Sequence, residues 1–138
     1  MKPLNDRRLY RMDLGIHKTQ IKHMITGVLI AYAITAIALL AYAVLVTYTN
    51  MSERNLPTIV AITTILAVIV AGFDAAKGAP SRGWLWGMGA GFIYVVIMVI
   101  IMVAALPNFA VDGHTLLTTA LGIAGGGLGG ILGINLKK

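Results

Sequence analysis

Cysteine and charged side chains are scarce in this sequence, and each scarcity excludes a class of site. Cysteine is absent, so the chain has no disulfide, no thiolate metal site and no cysteine nucleophile. Only 12% of the 138 residues are charged, whereas 58% are hydrophobic. This composition lies far outside the range of ordinary soluble domains and indicates an integral membrane protein.

Charge is also missing from the middle of the long apolar runs, where no Asp, Glu, Lys, Arg or His occurs. A proton-coupled antiporter or pump usually carries an intramembrane carboxylate, so this absence argues against that class. The sequence contains no catalytic triad, phosphate-binding loop or nucleotide fingerprint, and its three histidines lack ligand spacing. We therefore expect no enzymatic activity, no cofactor, no metal site and, despite the net charge of +6, no nucleic-acid partner.

Four uncharged apolar runs are long enough to cross a hydrocarbon core that requires about 20 helical residues. They occupy residues 24–48, 55–73, 84–106 and 115–136. Pro57 stands near the start of the second run, residues 78–81 form a turn, and Pro107 follows the third run. The sequence predicts an all-α, polytopic membrane protein, with four transmembrane helices packed in a compact bundle over residues 24–138.

The positions of Lys and Arg predict the orientation of this bundle. Ten of the eleven lie on the side that holds the N-terminal segment, the loop between the second and third runs, and the C-terminal tail; Arg54 alone lies on the other side. Cytoplasmic segments carry the excess of Lys and Arg, so we predict a multi-pass protein of the cell membrane with both termini in the cytoplasm. Lys137 and Lys138 then anchor the fourth helix at the inner surface.

A basic segment, residues 1–23, precedes the first apolar run. Its Leu9, Met12 and Ile16 share one helical face, which is typical of an amphipathic helix that lies on an anionic inner leaflet. A partly disordered leader that only sets the topology fits the same pattern. On the first interpretation, the residues that contact anionic lipid are Arg7, Arg8, Arg11, Lys18 and Lys22.

Glycine recurs at helical spacing in the third and fourth runs. Small residues let helix backbones approach closely, and in lipid such packing is a main source of helix association. We expect a packing seam within the chain or between copies of it. The alternatives are a seam for a partner protein, or an unwound stretch from Gly125 to Gly130 that lines an ion or substrate site. The predicted packing residues are Gly83, Gly87, Gly91, Gly122, Gly125, Gly126, Gly129, Gly130 and Gly133.

Hydroxyl and amide side chains are the only polar groups inside the predicted spans. Such groups usually bond to their own or a neighbouring helix, and they can also line a pathway. The candidates for a polar intramembrane site are Tyr32, Tyr94, Thr63, Thr64 and Asn135.

The two halves of the chain resemble each other weakly. The segment from Gly27 to Tyr32 is echoed by the segment from Gly89 to Tyr94. A duplication would relate the two helical hairpins by an axis along the membrane normal.

The segment "NLPTIVAITTILAVIVAGFDAAKGAPSRGWLWGMGAGFIY", with the later glycine run and the ending "GINLKK", resembles a family of small four-span membrane proteins found chiefly in Gram-positive, often spore-forming, bacteria. This family has no assigned function, so the resemblance implies the topology and supplies no functional residues. Asp74 and the long basic leader depart from its usual pattern.

Two functional hypotheses follow from the sequence. The first is a structural or accessory membrane protein that self-associates, or joins a larger membrane complex, through its glycine-lined helices. The second is a small homo-oligomeric channel or transporter for an ion or small solute, because four helices enclose too little volume for a pore of their own.

Overall fold

The structure is a computed structural model that describes residues 4–49, 53–105, 107–108, 110 and 112–136. Within these residues the chain forms four long helices and no strand. The helices are α1 (Leu4–Tyr48), α2 (Leu56–Lys77), α3 (Gly83–Ala105) and α4 (Gly113–Asn135), with a 3₁₀ turn at Glu53–Asn55 before α2. Each of the four is long and apolar enough to cross a membrane. The predicted all-α architecture of four packed, membrane-length helices is confirmed.

The ends of the helices follow from local signals. Pro57 stands in the first turn of α2, where a missing backbone N–H costs nothing. The Asp112 side chain caps α4 by accepting hydrogen bonds from the backbone N–H and the hydroxyl of Thr115, at 3.0 and 3.1 Å. Helix α2 continues four residues beyond Phe73, and Asp74 and Lys77 form an ion pair at 3.8 Å within this last turn.

Helix α1 is continuous over 45 residues, and no break separates the basic segment from the first span. At 1.5 Å per residue it is about 68 Å long, roughly twice the thickness of a hydrocarbon core. Its His23 lies against Gly78, just beyond the last residue of α2. The part of α1 before Gln20, residues 4–19, is the basic arm. Three of the predicted lipid-contacting side chains, Arg7, Arg8 and Arg11, lie on it but outside the described residues.

Helices α3 and α4 pack antiparallel along a seam of glycines. Gly83 faces Gly130, Gly87 faces Gly126, and Gly91 faces Gly122. The contacts are backbone to backbone: a Cβ atom added at Gly87 would overlap the Gly126 carbonyl oxygen, and one added at Gly126 would overlap the Gly87 carbonyl oxygen. This row of α4 therefore contacts α3 inside the same chain.

The second glycine row of α4 faces α2, which runs parallel to it. A Cβ atom at Gly129 would overlap the Ile69 carbonyl oxygen, and one at Gly133 would overlap the Phe73 carbonyl oxygen. Gly125 is less crowded, since its nearest neighbours, on Ile69 and Val68, lie 3.8 Å away. Helix α4 is thus held between α2 and α3. It is helical throughout, so the alternative in which Gly125 to Gly130 unwinds does not describe this structure.

Helix α1 packs mainly on α2, with a smaller contact to α3. A Cβ atom at its Gly27 would lie 2.7 Å from the Ala71 carbonyl oxygen of α2. An exact two-fold axis would exchange α1 with α3 and α2 with α4. The contact between α2 and α3 would then have an equal counterpart between α4 and α1. Among the described residues that second contact is at most marginal, so any duplication has diverged in its packing.

The bundle has two ends, the terminal end and the distal end. The terminal end holds His23 of α1, the end of α2, the start of α3 and the end of α4. The distal end holds the start of α2, the end of α3 and the cap of α4 at Asp112.

Alanine substitutions at Gly126, Gly129 and Gly125 test the two seams. We expect Gly126→Ala and Gly129→Ala to destabilise the bundle by about 1–3 kcal/mol, because the new methyl group must displace a helix backbone. Gly125→Ala, the matched control, has space for the methyl group and should be neutral or stabilising, since alanine favours helix over glycine. Unfolding of the purified protein in mixed micelles by added SDS measures the difference. Equal stability of the three variants would contradict this packing.

Candidate functional site

Two tyrosines, one from α1 and one from α3, meet in the interior of the bundle. The Tyr32 and Tyr94 rings stack with centroids 4.6 Å apart and an interplanar angle of 29°. The Tyr32 hydroxyl donates a hydrogen bond of 2.7 Å to the backbone carbonyl oxygen of Tyr94. Tyr94 is fully buried and lies midway along α3, so this contact joins the two helices near the middle of the membrane.

Thr35 determines which way the hydroxyl protons point. Its hydroxyl donates to the Ala31 carbonyl oxygen at 2.9 Å and lies 2.8 Å from the Tyr94 hydroxyl. A threonine hydroxyl has one proton to donate. Since that proton is given to Ala31, Tyr94 must donate to Thr35. The Tyr94 oxygen then keeps its lone pairs available as hydrogen-bond acceptors.

Thr64 of α2 completes this group and differs from several other helical threonines. Threonines in membrane helices commonly bond the carbonyl oxygen four residues earlier, and Thr35, Thr47 and Thr119 do so here. The side chain of Thr64 is only 3% exposed, yet its Oγ1 has no hydrogen-bond partner among the described residues. It lies within interaction range of the Tyr94 hydroxyl but outside the geometry of a formed hydrogen bond. Tyr32, Thr35, Tyr94 and Thr64 are called the hydroxyl cluster below.

A cavity of about 670 Å³ lies beside Thr64, between this residue and the distal end of the bundle. Its walls come from α2, α3 and the start of α4 and are mostly apolar. Its far end carries the polar residues Asn108, Asp112 and Thr115. The apolar lining residues among those described include Val60, Val95, Met98, Val99 and Met102.

The cavity forms where the glycine seams stop. The last glycine pair toward the distal end is Gly91 with Gly122. Beyond it, α3 carries Val95 and larger side chains, and α4 carries Thr118 and Thr115 on the cavity side. Side chains of this size keep the helix backbones apart. The terminal half of the bundle is therefore tightly packed, and the distal half contains a space.

The structure brings together three of the five predicted polar candidates. Tyr32, Tyr94 and Thr64 belong to the hydroxyl cluster. Thr63 is half-buried and does not line the cavity, and Asn135 is exposed in the last turn of α4. Of the predicted lipid contacts, Lys18 and Lys22 are exposed on α1.

Thr35 was not among the five candidates, although one signal in the sequence pointed to it. It follows Tyr32 by three residues and so shares its helical face. The cavity had no comparable signal, because valine and methionine in a membrane helix face lipid as readily as an internal space.

The hydroxyl cluster provides hydrogen bonds without charge. Three of its four protons are donated within the bundle, by Tyr32, Thr35 and Tyr94. The Thr64 hydroxyl is the member that can donate to, and accept from, a neutral polar group. Within the described ranges, no three His, Cys, Asp or Glu side chains come together as a metal site would require. The hydrogen-bonding side chains of the cluster are therefore neutral hydroxyl groups.

Valine substitutions distinguish paired from unpaired hydroxyls. Thr35→Val leaves the buried Tyr94 hydroxyl without its acceptor, and we expect it to destabilise the bundle by about 0.5–1.5 kcal/mol. Thr64→Val removes an unpaired hydroxyl and should cost nothing or stabilise the protein. Thr63→Val serves as the control for adding valine to α2. The measurement is again unfolding by SDS in mixed micelles, and a cost for Thr64→Val as large as that for Thr35→Val would refute this assignment.

Comparison with known proteins identifies a family. No curated protein and no solved structure matches the chain. A model of the family described as "Protein of unknown function (DUF3792)" matches residues 20–133, which include all of α2 and α3, most of the membrane-length parts of α1 and α4, and the whole hydroxyl cluster. The chain, a small multi-pass membrane protein, therefore belongs to the DUF3792 family.

Proposed function

We propose that this protein is a structural or accessory subunit of the cell membrane, without enzymatic activity, that associates with itself or with a larger membrane complex. Both termini lie in the cytoplasm in this proposal, as the distribution of Lys and Arg predicts. The glycine-lined packing builds the bundle itself, because both glycine rows of α4 face helices of the same chain. Association with other proteins then uses a different surface.

The basic arm is the observation that carries this proposal. It continues α1 as a helix for 16 residues, about 24 Å, beyond Gln20. Lys18 is exposed on it, and the sequence places Arg7, Arg8 and Arg11 along its length. A basic helix that continues directly from a membrane-spanning helix keeps its charge near the membrane surface. It can bind an acidic surface on a partner protein and contact anionic lipid headgroups at the same time.

The connections between helices support a non-enzymatic role. The loop between α2 and α3 is five residues long, and the one between α3 and α4 is seven. Loops of this size contribute little surface outside the membrane on which a catalytic site could form. Among the described residues, the polar side chains in the middle of the bundle are those of the hydroxyl cluster. Neutral hydroxyl groups of this kind are better suited to binding a neutral molecule than to catalysis.

Photo-crosslinking in native membranes tests the accessory role. A photoreactive amino acid replaces Lys18 on the basic arm or, as a control, Leu128, which is exposed on α4. We expect discrete protein adducts from position 18 and only lipid adducts from position 128. Two differently tagged copies of the chain distinguish self-association from a partner. If position 18 also yields only lipid adducts, the accessory role is wrong and the arm is a lipid anchor.

The cavity favours a second candidate function, a small homo-oligomeric channel or transporter for an ion or small solute. It reaches from the distal end to Thr64, the member of the hydroxyl cluster that lines it. Toward the terminal end, the path is closed by Ala67, Val68 and Ala71, which are fully buried. Transport would therefore require the glycine seams to open, or a pathway to form between copies of the chain.

Flux through proteoliposomes tests this second function. If the cluster lines the pathway, Tyr94→Phe and Thr64→Val should each lower the flux several-fold. Tyr48→Phe, at a residue that is 86% exposed, should leave the flux unchanged. The absence of flux for a broad panel of ions and small neutral solutes would eliminate the transporter.

A further inference from the structure

We propose that the cavity between α2, α3 and the start of α4 is a binding site for a neutral amphiphile with an apolar body and a hydroxyl group at its leading end. The body occupies the apolar walls, and the ligand hydroxyl pairs with Thr64. This site does not depend on the basic arm and goes beyond both functions considered above.

The first support is the unpaired hydroxyl at the inner end of the cavity. Thr64 is 3% exposed and lines the cavity, and its Oγ1 has no partner in the described part of the chain. A buried polar group without a hydrogen bond is costly, so a ligand that supplies the bond gains affinity. Thr35 and Thr119 each donate a hydrogen bond to the carbonyl oxygen four residues earlier in their helix. The Thr64 hydroxyl does not form this bond.

The second support is the direction of the protons around Thr64. Tyr94 donates to Thr35, so the Tyr94 oxygen is able to accept a hydrogen bond from the nearby Thr64 hydroxyl. When Thr64 donates to Tyr94, its own lone pairs are left for a ligand donor. When Thr64 points into the cavity, it needs a ligand acceptor. A hydroxyl group is both donor and acceptor, so it matches Thr64 in either state.

The third support is the size and lining of the cavity. Its volume of about 670 Å³ lies within the range of small-molecule sites, about 300–1,000 Å³. Thr64 is eight residues from the start of α2, so the site accommodates a body about 12 Å long. Met98 and Met102 line one wall, and flexible methionine side chains adapt to ligands of different shape.

The lining also limits the charge of the ligand. On α2 and α3 the lining residues other than Thr64 are apolar, among them Val60, Ala61 and Val95, and α4 adds the neutral hydroxyl groups of Thr115 and Thr118. A charged leading group would lose its hydration there without an opposite charge nearby. Asn108, Asp112 and Thr115 lie at the other end, where a second polar group of the ligand can face the membrane surface.

Equilibrium dialysis between protein-containing and empty phosphatidylcholine nanodiscs tests the site, with 2-naphthol and 2-methylnaphthalene as a matched pair of probes. The two compounds have similar shape and differ in the hydroxyl group. After correction for partition into empty nanodiscs, we expect about one 2-naphthol per chain. Its affinity should exceed that of 2-methylnaphthalene by about three- to tenfold, the range given by one additional hydrogen bond.

Three variants test whether the preference for 2-naphthol over 2-methylnaphthalene arises in this cavity. Thr64→Val should abolish it, and Thr63→Val, on the same helix but outside the lining, should retain it. Val60→Phe fills the cavity and should weaken binding of both probes, with SDS unfolding used to confirm that each variant is folded. Equal affinity of the two probes for the unmodified protein would overturn the proposal. So would unchanged preference in Thr64→Val, saturable binding retained in folded Val60→Phe, or no binding above empty nanodiscs.

Discussion

Close approach of helix backbones is the constraint on which the rest of this structure depends. In a bilayer the hydrophobic effect does not drive helices together, because lipid chains are as apolar as the side chains they would replace. Association then depends on van der Waals contact, and glycine allows the backbone itself to make that contact. In α4, one glycine row meets carbonyl groups of α3 and the other meets carbonyl groups of α2. This double contact fixes three of the four helices relative to one another.

The uneven distribution of glycine along the bundle also produces its internal space. Glycine pairs hold α3 and α4 together from the terminal end as far as Gly91 and Gly122. Past that point the facing residues are valine, methionine and threonine, and the helices no longer touch backbone to backbone. The cavity begins there, with Thr64 at its inner end. A tightly packed half and an open half are therefore two results of the same sequence feature.

Helix α1 is attached by different chemistry. Gly27 allows it to approach α2, and Tyr32 and Thr35 hydrogen-bond to Tyr94 of α3. Hydroxyl groups suit this position because they satisfy one another without introducing charge into the membrane. Tyr94 also lies near Thr64, so the contact that attaches α1 adjoins the cavity. At the other end of α1, the basic arm continues the same helix without a break.

The sequence by itself determined the class of protein, the number of helices and their approximate limits. Apolar runs of about 20 residues must be helical in lipid, since every backbone polar group has to be satisfied within the segment. It also showed the two glycine rows of α4, because their spacing of four residues is visible in the letters. The tertiary structure decided which helix each row faces, and that α1 continues through residue 23 without a break. It alone brought Thr35 and Thr64 to Tyr94 and left Thr63, the neighbouring threonine, outside the cavity. The physical reason is that a uniformly apolar helix has no polar face to reveal its orientation. Only contact with the other helices determines which side chains point inward.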